Sequence, residues 1–153
     1  MPQTPAASGA RYEIAAMTFW SKGYDATLER RPGSAVTCRE VRAQSLLEDA
    51  RIRGVTFRGR GNEPGWLLEI GPGNRGMFED RYGSIRMFFA DLKPQIDAAS
   101  GATIYTGESN GRRLRVVLLP QSCADTMSDE TFPASVSLEI DGARRSGCGT
   151  PLP

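Results

Sequence analysis

Turn signals recur along this chain at intervals that leave room for short strands and little else. Ser21-Lys22-Gly23, Arg31-Pro32-Gly33-Ser34, Asn62-Glu63-Pro64-Gly65, Gly71-Pro72-Gly73-Asn74, Asn110-Gly111 and Asp141-Gly142 each place reversal-prone residues together. The segments between them alternate in polarity. Residues 25–29 put Ala26 and Leu28 on one face, and residues 36–41 do the same with Val36, Cys38 and Glu40. Residues 135–140 repeat the pattern with Val136, Leu138 and Ile140. Asn110-Gly111 joins residues 103–106 to 114–119 as a tight hairpin, the arrangement in which Asn-Gly supplies two positive φ angles. The expected class is all-β: an antiparallel β-barrel or sandwich.

Within that class the chain divides. Residues 1–43 read as a small β meander, with strand-like runs over 11–17 and 18–20 and a tight turn at 21–23. Residues 44–53 lie in a Gly- and Pro-free stretch of good helix formers and are expected as a linker with a short helix. Residues 54–153 form a second, barrel-like β module. There a strand over 55–58 is closed by the glycines at 59 and 61, and 66–70 is a buried strand. Residues 84–92 read as a core strand that Pro94 ends. Phe57, Trp66, Phe88 and Phe89 are expected in the core.

The inventory of reactive side chains excludes whole classes of function. With no histidine among 153 residues, Ser-His-Asp and Cys-His hydrolysis and the usual zinc sites are out of reach. A net charge of +1 gives no electrostatic footprint for nucleic acid. No cofactor, metal site or catalytic residue is expected. Asp125, Asp129 and Glu130 are read as solvated turn acids rather than a calcium loop, and Glu63 as a turn residue. Cys38, Cys123 and Cys148 contain no CxxC pair. Two readings stand: three buried thiols, or a Cys123–Cys148 disulfide with Cys38 left over. The start, Met1-Pro2-Gln3-Thr4-Pro5, is too polar for a signal peptide and no run reaches transmembrane length. On that reading the chain lacks its export signal as written or begins internally.

Two loops near the start carry the strongest specific pattern. Ser8-Gly9-Ala10-Arg11-Tyr12 and Phe19-Trp20-Ser21-Lys22-Gly23, followed by Ala26, Leu28 and Cys38, resemble the MliC/PliC-type C-type lysozyme inhibitor family of bacterial envelope proteins. Lysine is scarce here, Lys22 and Lys93 being the only two. The resemblance covers about residues 5–41, the C-terminal half of the family's barrel. It implies a periplasmic or envelope protein whose partner is c-type lysozyme, with Ser8 and Lys22 entering the enzyme's cleft. Gly9 and Gly23 would shape the loops, and Tyr12 and Trp20 would be structural. Membrane association would require a lipid anchor ahead of Met1.

The remainder resembles an uncharacterised β module of bacterial envelope lipoproteins. Its marks are Gly61-Asn62-Glu63-Pro64-Gly65-Trp66, Cys123-Ala124-Asp125-Thr126-Met127-Ser128-Asp129 and Gly147-Cys148-Gly149. That resemblance places Cys123 and Cys148 where a disulfide would tie a loop to the last strand. The alternative to an inhibitor is a non-catalytic structural or accessory envelope protein of unknown partner.

Overall fold

The computed structural model describes residues 1–128 and 130–153. Two compact units divide the chain, Met1–Leu46 and Leu47–Pro153.

The first unit is a five-stranded antiparallel meander in sequence order: β1 (Gln3–Thr4), β2 (Ala10–Ile14), β3 (Met17–Lys22), β4 (Asp25–Arg30) and β5 (Ala35–Arg39). The run expected to be continuous over 11–17 instead reverses at Ala15-Ala16, where Ile14 pairs with Met17. Periodicity explains the reversal, because residues three apart on one strand fall on opposite faces. Only a turn brings both apolar side chains to the same side. The next reversal is shifted too: Lys22 ends β3 opposite Asp25, and the turn is Gly23-Tyr24, with Gly23 at φ 59°. Tyr12, Phe19, Leu28 and Val36 run in register across one face, and Arg11, Trp20, Thr27 and Thr37 across the other. No buried apolar side chain of the described residues precedes Ala50, and Val36 is 59% exposed.

Helix α1 (Arg42–Ile52) is followed by Gly54, whose φ of 78° suits a helix stop. Leu47 and Ala50 pack with Val55 and Leu152 in a small cluster of the second unit.

Nine strands make the main sheet of that unit. They are β6 (Phe57–Asn62), β7 (Gly65–Gly71), β8 (Arg75–Asp80), β9 (Ile85–Phe89), β10 (Lys93–Asp97), β11 (Ala102–Ser109), β12 (Arg112–Leu119), β15 (Ala134–Ile140) and β16 (Ala143–Pro151). The short pair β13 (Cys123–Ala124) and β14 (Thr131–Phe132) forms a clip in the connection between β12 and β15. Spatial order is β10-β11-β12-β15-β16-β6-β7-β8-β9, antiparallel throughout. The sheet curls until β9 approaches β11, a half-barrel filled by Trp66, Leu68, Ile70, Phe78, Phe89, Leu92, Leu114, Val116, Val136 and Leu138. Leu92 sits where the two arms converge: a Cβ added at Gly76 or at Gly107 would lie 2.6 Å from its side chain.

Three expectations are corrected here. Gly59 and Gly61 do not close a strand; they lie inside β6. A Cβ at Gly61 would strike the Trp66 indole and approach Ser146 O to 2.5 Å, so these glycines are the space the tryptophan fills. Pro94 does not end a strand either, because it lies within β10, an edge of the sheet where a missing N–H is tolerated. The run over 84–92 is only partly strand, and Phe88, opposite Met77 on the outer face, is 64% exposed rather than core. Strand β8, between two turns and carrying Gly76, Met77 and Phe78, was not anticipated from the pattern.

Both hairpins foreseen from Asn110-Gly111 and Asp141-Gly142 are present, with φ of 51° and 74° in the first and 49° and 81° in the second. No helix of the described residues is long and apolar enough to cross a membrane.

Candidate functional site

The first unit brings its two loop motifs together by backbone contact. Ala10 pairs with Ser21 and Arg11 with Trp20, so the segment before β2 runs beside the end of β3. Gly9 makes the approach possible: its φ is 74°, and a Cβ there would collide with the Ser21 carbonyl and lie 3.1 Å from Lys22 Cα. From the other side, Trp20 Nε1 donates a 2.9 Å hydrogen bond to the Ser8 carbonyl. Ser8 is half-buried and Lys22 exposed, adjacent through Gly9. Tyr12 lies across the sheet from Phe19 with ring centroids 6.2 Å apart, while nothing within 4 Å would obstruct a Cβ at Gly23.

The charge at this end of the sheet is arranged around a cation without a mate. Asp25 is the register partner of Lys22, yet its carboxylate accepts two hydrogen bonds from Arg39, Nε at 2.8 Å and Nη2 at 3.1 Å. The Arg39 hydrogen bonds, with the guanidinium charge behind them, hold the Asp25 carboxyl below its usual range against the opposing effect of desolvation. Among the described residues the Lys22 ammonium makes no ion pair. Asp25 and Arg39 escaped the sequence reading, although each lies beside a named position, Ala26 and Cys38, on an alternating strand. Beside Trp20 a groove of about 310 Å³ is lined by Pro5, Ala7, Arg11, Thr27 and Glu29.

In the second unit the cysteines resolve the two readings. Cys123 and Cys148 form a disulfide, and Cys38 is a free, exposed thiol, so three buried thiols are excluded. The clip that Cys123 opens is also gripped by Arg60, which donates to Asp125 Oδ2 at 3.1 Å and to Glu130, and stacks 4.8 Å from the Phe132 ring centroid. Asn62 donates to the other oxygen of Asp125, and the Met127 amide reaches the same carboxylate at 2.9 Å. The amide hydrogen bond leads, followed by those of Asn62 and Ser128 and the Arg60 charge, in holding Asp125 below the usual carboxylate range against desolvation. An arginine and an amide thus occupy the place a cation would need. Of the acidic trio read as turn acids, Asp129 lies outside the described residues. Glu63 is exposed on its turn. Among the described residues no group of three potential ligands is placed to hold a metal ion.

Three further ion pairs, unread in the sequence, lie in the same unit. Arg145 clasps Asp80 inside the half-barrel, Nε to Oδ1 at 3.2 Å and Nη2 to Oδ2 at 3.0 Å. Glu69, 4% exposed, is held by Arg53 from beyond the helix and by Arg58 from β6.

Residues 1–36 match the family model described as membrane-bound lysozyme-inhibitor of c-type lysozyme. The match takes in Ser8, Gly9, Tyr12, Trp20, Lys22 and Gly23 and stops short of Cys38. No curated protein and no solved structure matches the chain. The similarity therefore rests on the first unit, where the two loops meet.

Proposed function

We propose that this chain is a binding protein of the bacterial envelope that inhibits c-type lysozyme, with Ser8 and Lys22 inserted into the enzyme's cleft. The observation that carries the reading is the contact between the two loops. Gly9 and the Trp20–Ser8 hydrogen bond bring the backbone of the Ser8 loop against the end of the strand that carries Lys22, which supports a joint role for the two side chains.

Lysozyme cleaves glycosides between two carboxyl groups. An ammonium directed at one and a hydroxyl at the other would occupy the space the sugar needs, through charge-assisted hydrogen bonds that strengthen as water is excluded. A lysine suits a narrow cleft better than the broad, planar fork of an arginine, which accounts for Lys22 in a chain otherwise rich in arginine. Asp25, the register partner of Lys22, is bonded to Arg39, which supports a free charge at Lys22.

A second reading, a structural or accessory envelope module, is favoured by one observation: the buried core and the disulfide both belong to residues 47–153. A turbidity assay of c-type lysozyme on bacterial cell walls separates the two. The oxidised full chain slows lysis under the inhibitor reading, and Lys22→Ala raises the inhibition constant more than tenfold, about 1.4 kcal/mol. Unchanged lysis at micromolar protein would leave the accessory reading in possession.

A further inference from the structure

Residues 60–62 and 123–128 are distant in the chain, yet Arg60 and Asn62 tie them together through Asp125. Between the β13–β14 clip and the outer face of β6, β15 and β16 they leave a groove of about 430 Å³, a volume within the range of small-molecule sites. Val136 and Leu138 fill the half-barrel, so Ser135 and Ser137, alternating with them, stand on the opposite face. Ser146, the register partner of Ser137 on β16, continues this floor. Arg60, Asn62 and Glu63 line one side of it.

Hydrogen-bonding capacity in this groove is unspent. Arg60 Nε is buried and has no hydrogen-bond partner, a costly state for a donor. Ser135 accepts from Gln121 Nε2 at 2.9 Å, which leaves its own proton for another acceptor. Among the described residues the Ser137 and Ser146 hydroxyls, the Asn62 side-chain carbonyl and the Glu63 carboxylate meet no partner. The Arg60 charge is answered by Asp125 and Glu130, so among the described residues the groove offers no spare cation to an anionic ligand. An aromatic ring stands beside one end. The Tyr82 hydroxyl donates to the Asn62 backbone carbonyl at 3.0 Å, and the Tyr82 amide donates to the Gly65 carbonyl at 2.9 Å. The ring lies against Gly65, where a Cβ would collide with it, yet Tyr82 remains 83% exposed. Arg81 and Tyr82 have φ of 52° and 56°, the left-handed region that side chains disfavour. Backbone strain that holds a large ring out in water points to a ring kept for contact.

We propose that this groove binds a neutral saccharide, with a sugar ring stacked on Tyr82 and sugar hydroxyls bonded to the serine floor, Arg60 Nε, Asn62 and Glu63. A sugar hydroxyl both donates and accepts, and the groove offers the matching mixture. Arg60 Nε supplies a donor, Asn62 Oδ1 and the Glu63 carboxylate supply acceptors, and each serine supplies either. The C–H face of a sugar ring suits the electron-rich face of a tyrosine, whose hydroxyl end stays hydrogen-bonded. The disulfide and the Arg60–Asp125 pair hold the clip in place before any ligand arrives, which lowers the cost of binding. This activity belongs to the second unit and is separate from lysozyme inhibition.

The test is an NMR titration of the isotope-labelled full chain, Cys123–Cys148 intact, with chitotriose and with maltotriose. These neutral trisaccharides distinguish an acetamido sugar from a plain glucan. Binding of at least one is expected, with amide shifts centred on Asn62, Ser137 and Ser146. Ser137→Tyr fills the floor from an exposed position and abolishes binding without disturbing the core. Arg60→Lys keeps a cation for Asp125 and Glu130 but removes Nε, and affinity falls about tenfold. Tyr82→Gly removes the ring at a φ that glycine adopts freely, and affinity again falls about tenfold. No shifts with either trisaccharide at about 10 mM overturn the proposal. Binding that Ser137→Tyr and Tyr82→Gly both leave unchanged also overturns it, because the sugar would then sit elsewhere. Lysozyme takes no part in the readout, so failure here leaves the inhibitor reading standing.

Discussion

The indole N–H of Trp20 is bonded to the carbonyl of Ser8 at 2.9 Å, so the aromatic ring of one loop motif holds the backbone of the other. Trp20 is therefore a positioning residue. Trp20→Phe keeps the ring and loses the hydrogen bond, worth about 1 kcal/mol. Inhibition of c-type lysozyme is expected to weaken about fivefold, with the thermal unfolding of the second unit unmoved.

Gly9→Ala acts on the same contact from the opposite side and more severely. The methyl group would collide with Ser21 at a φ that disfavours side chains, forcing the loops apart. Loss of inhibition is expected to exceed tenfold, measured beside a Gly23→Ala control in which the added methyl meets nothing. Equal effects from the two substitutions would show that φ strain alone, and not the close approach, is at issue.

Acid should weaken the second unit through Asp80. Burial alone would raise the Asp80 pKa, but the hydrogen bonds and charge of Arg145 outweigh it and bring the folded value below the unfolded one. A carboxyl lowered on folding stabilises the native state above its unfolded pKa of about 3.9, and that contribution disappears as pH falls through the folded value. Urea midpoints should therefore fall below about pH 4 in the parent, and fall less steeply in Asp80→Asn. Asp80→Ala leaves the Arg145 charge buried without its partner and should cost about 3–5 kcal/mol at neutral pH.

Gly61→Ala tests the account of the strand glycines. The added methyl would lie against the Trp66 indole and 2.5 Å from Ser146 O, and overpacking of this kind costs about 1–3 kcal/mol. Chemical denaturation monitored by tryptophan fluorescence should show it. A neutral result would mean that Trp66 can move aside.

Amide exchange should divide the chain. With no buried apolar core among the described residues before Ala50, β2 to β5 should exchange well ahead of β7, β12 and β15. Uniform protection across the two units would contradict this.

Much of the architecture was readable because its signals are local. Asn110-Gly111 and Asp141-Gly142 announce their hairpins from two residues, and Val136, Leu138 and Ile140 declare a face by alternation. What escaped is set by partners far away in sequence. Gly61 looks like a strand breaker until Trp66 is seen in the space it leaves, and Pro94 like a stop until β10 is known to be an edge. The same holds at the loops: Ser8, Trp20 and Lys22 could be named from their motifs, but their contact through Gly9 could not. Arg39, which binds the Asp25 carboxylate opposite Lys22, does so from another strand altogether.

In the second unit the strand made last, β16, pairs with the strand made first, β6, and Leu152 N reaches Thr56 O at 2.8 Å. The sheet is thus two locally wound arms, β6 to β9 and β10 to β16, soldered along a single seam. During synthesis the first arm can wind as it emerges, but the seam waits for the residues of β16. Until they arrive, one edge of β6 stands open, and a chain cut short at its C-terminus would keep it so.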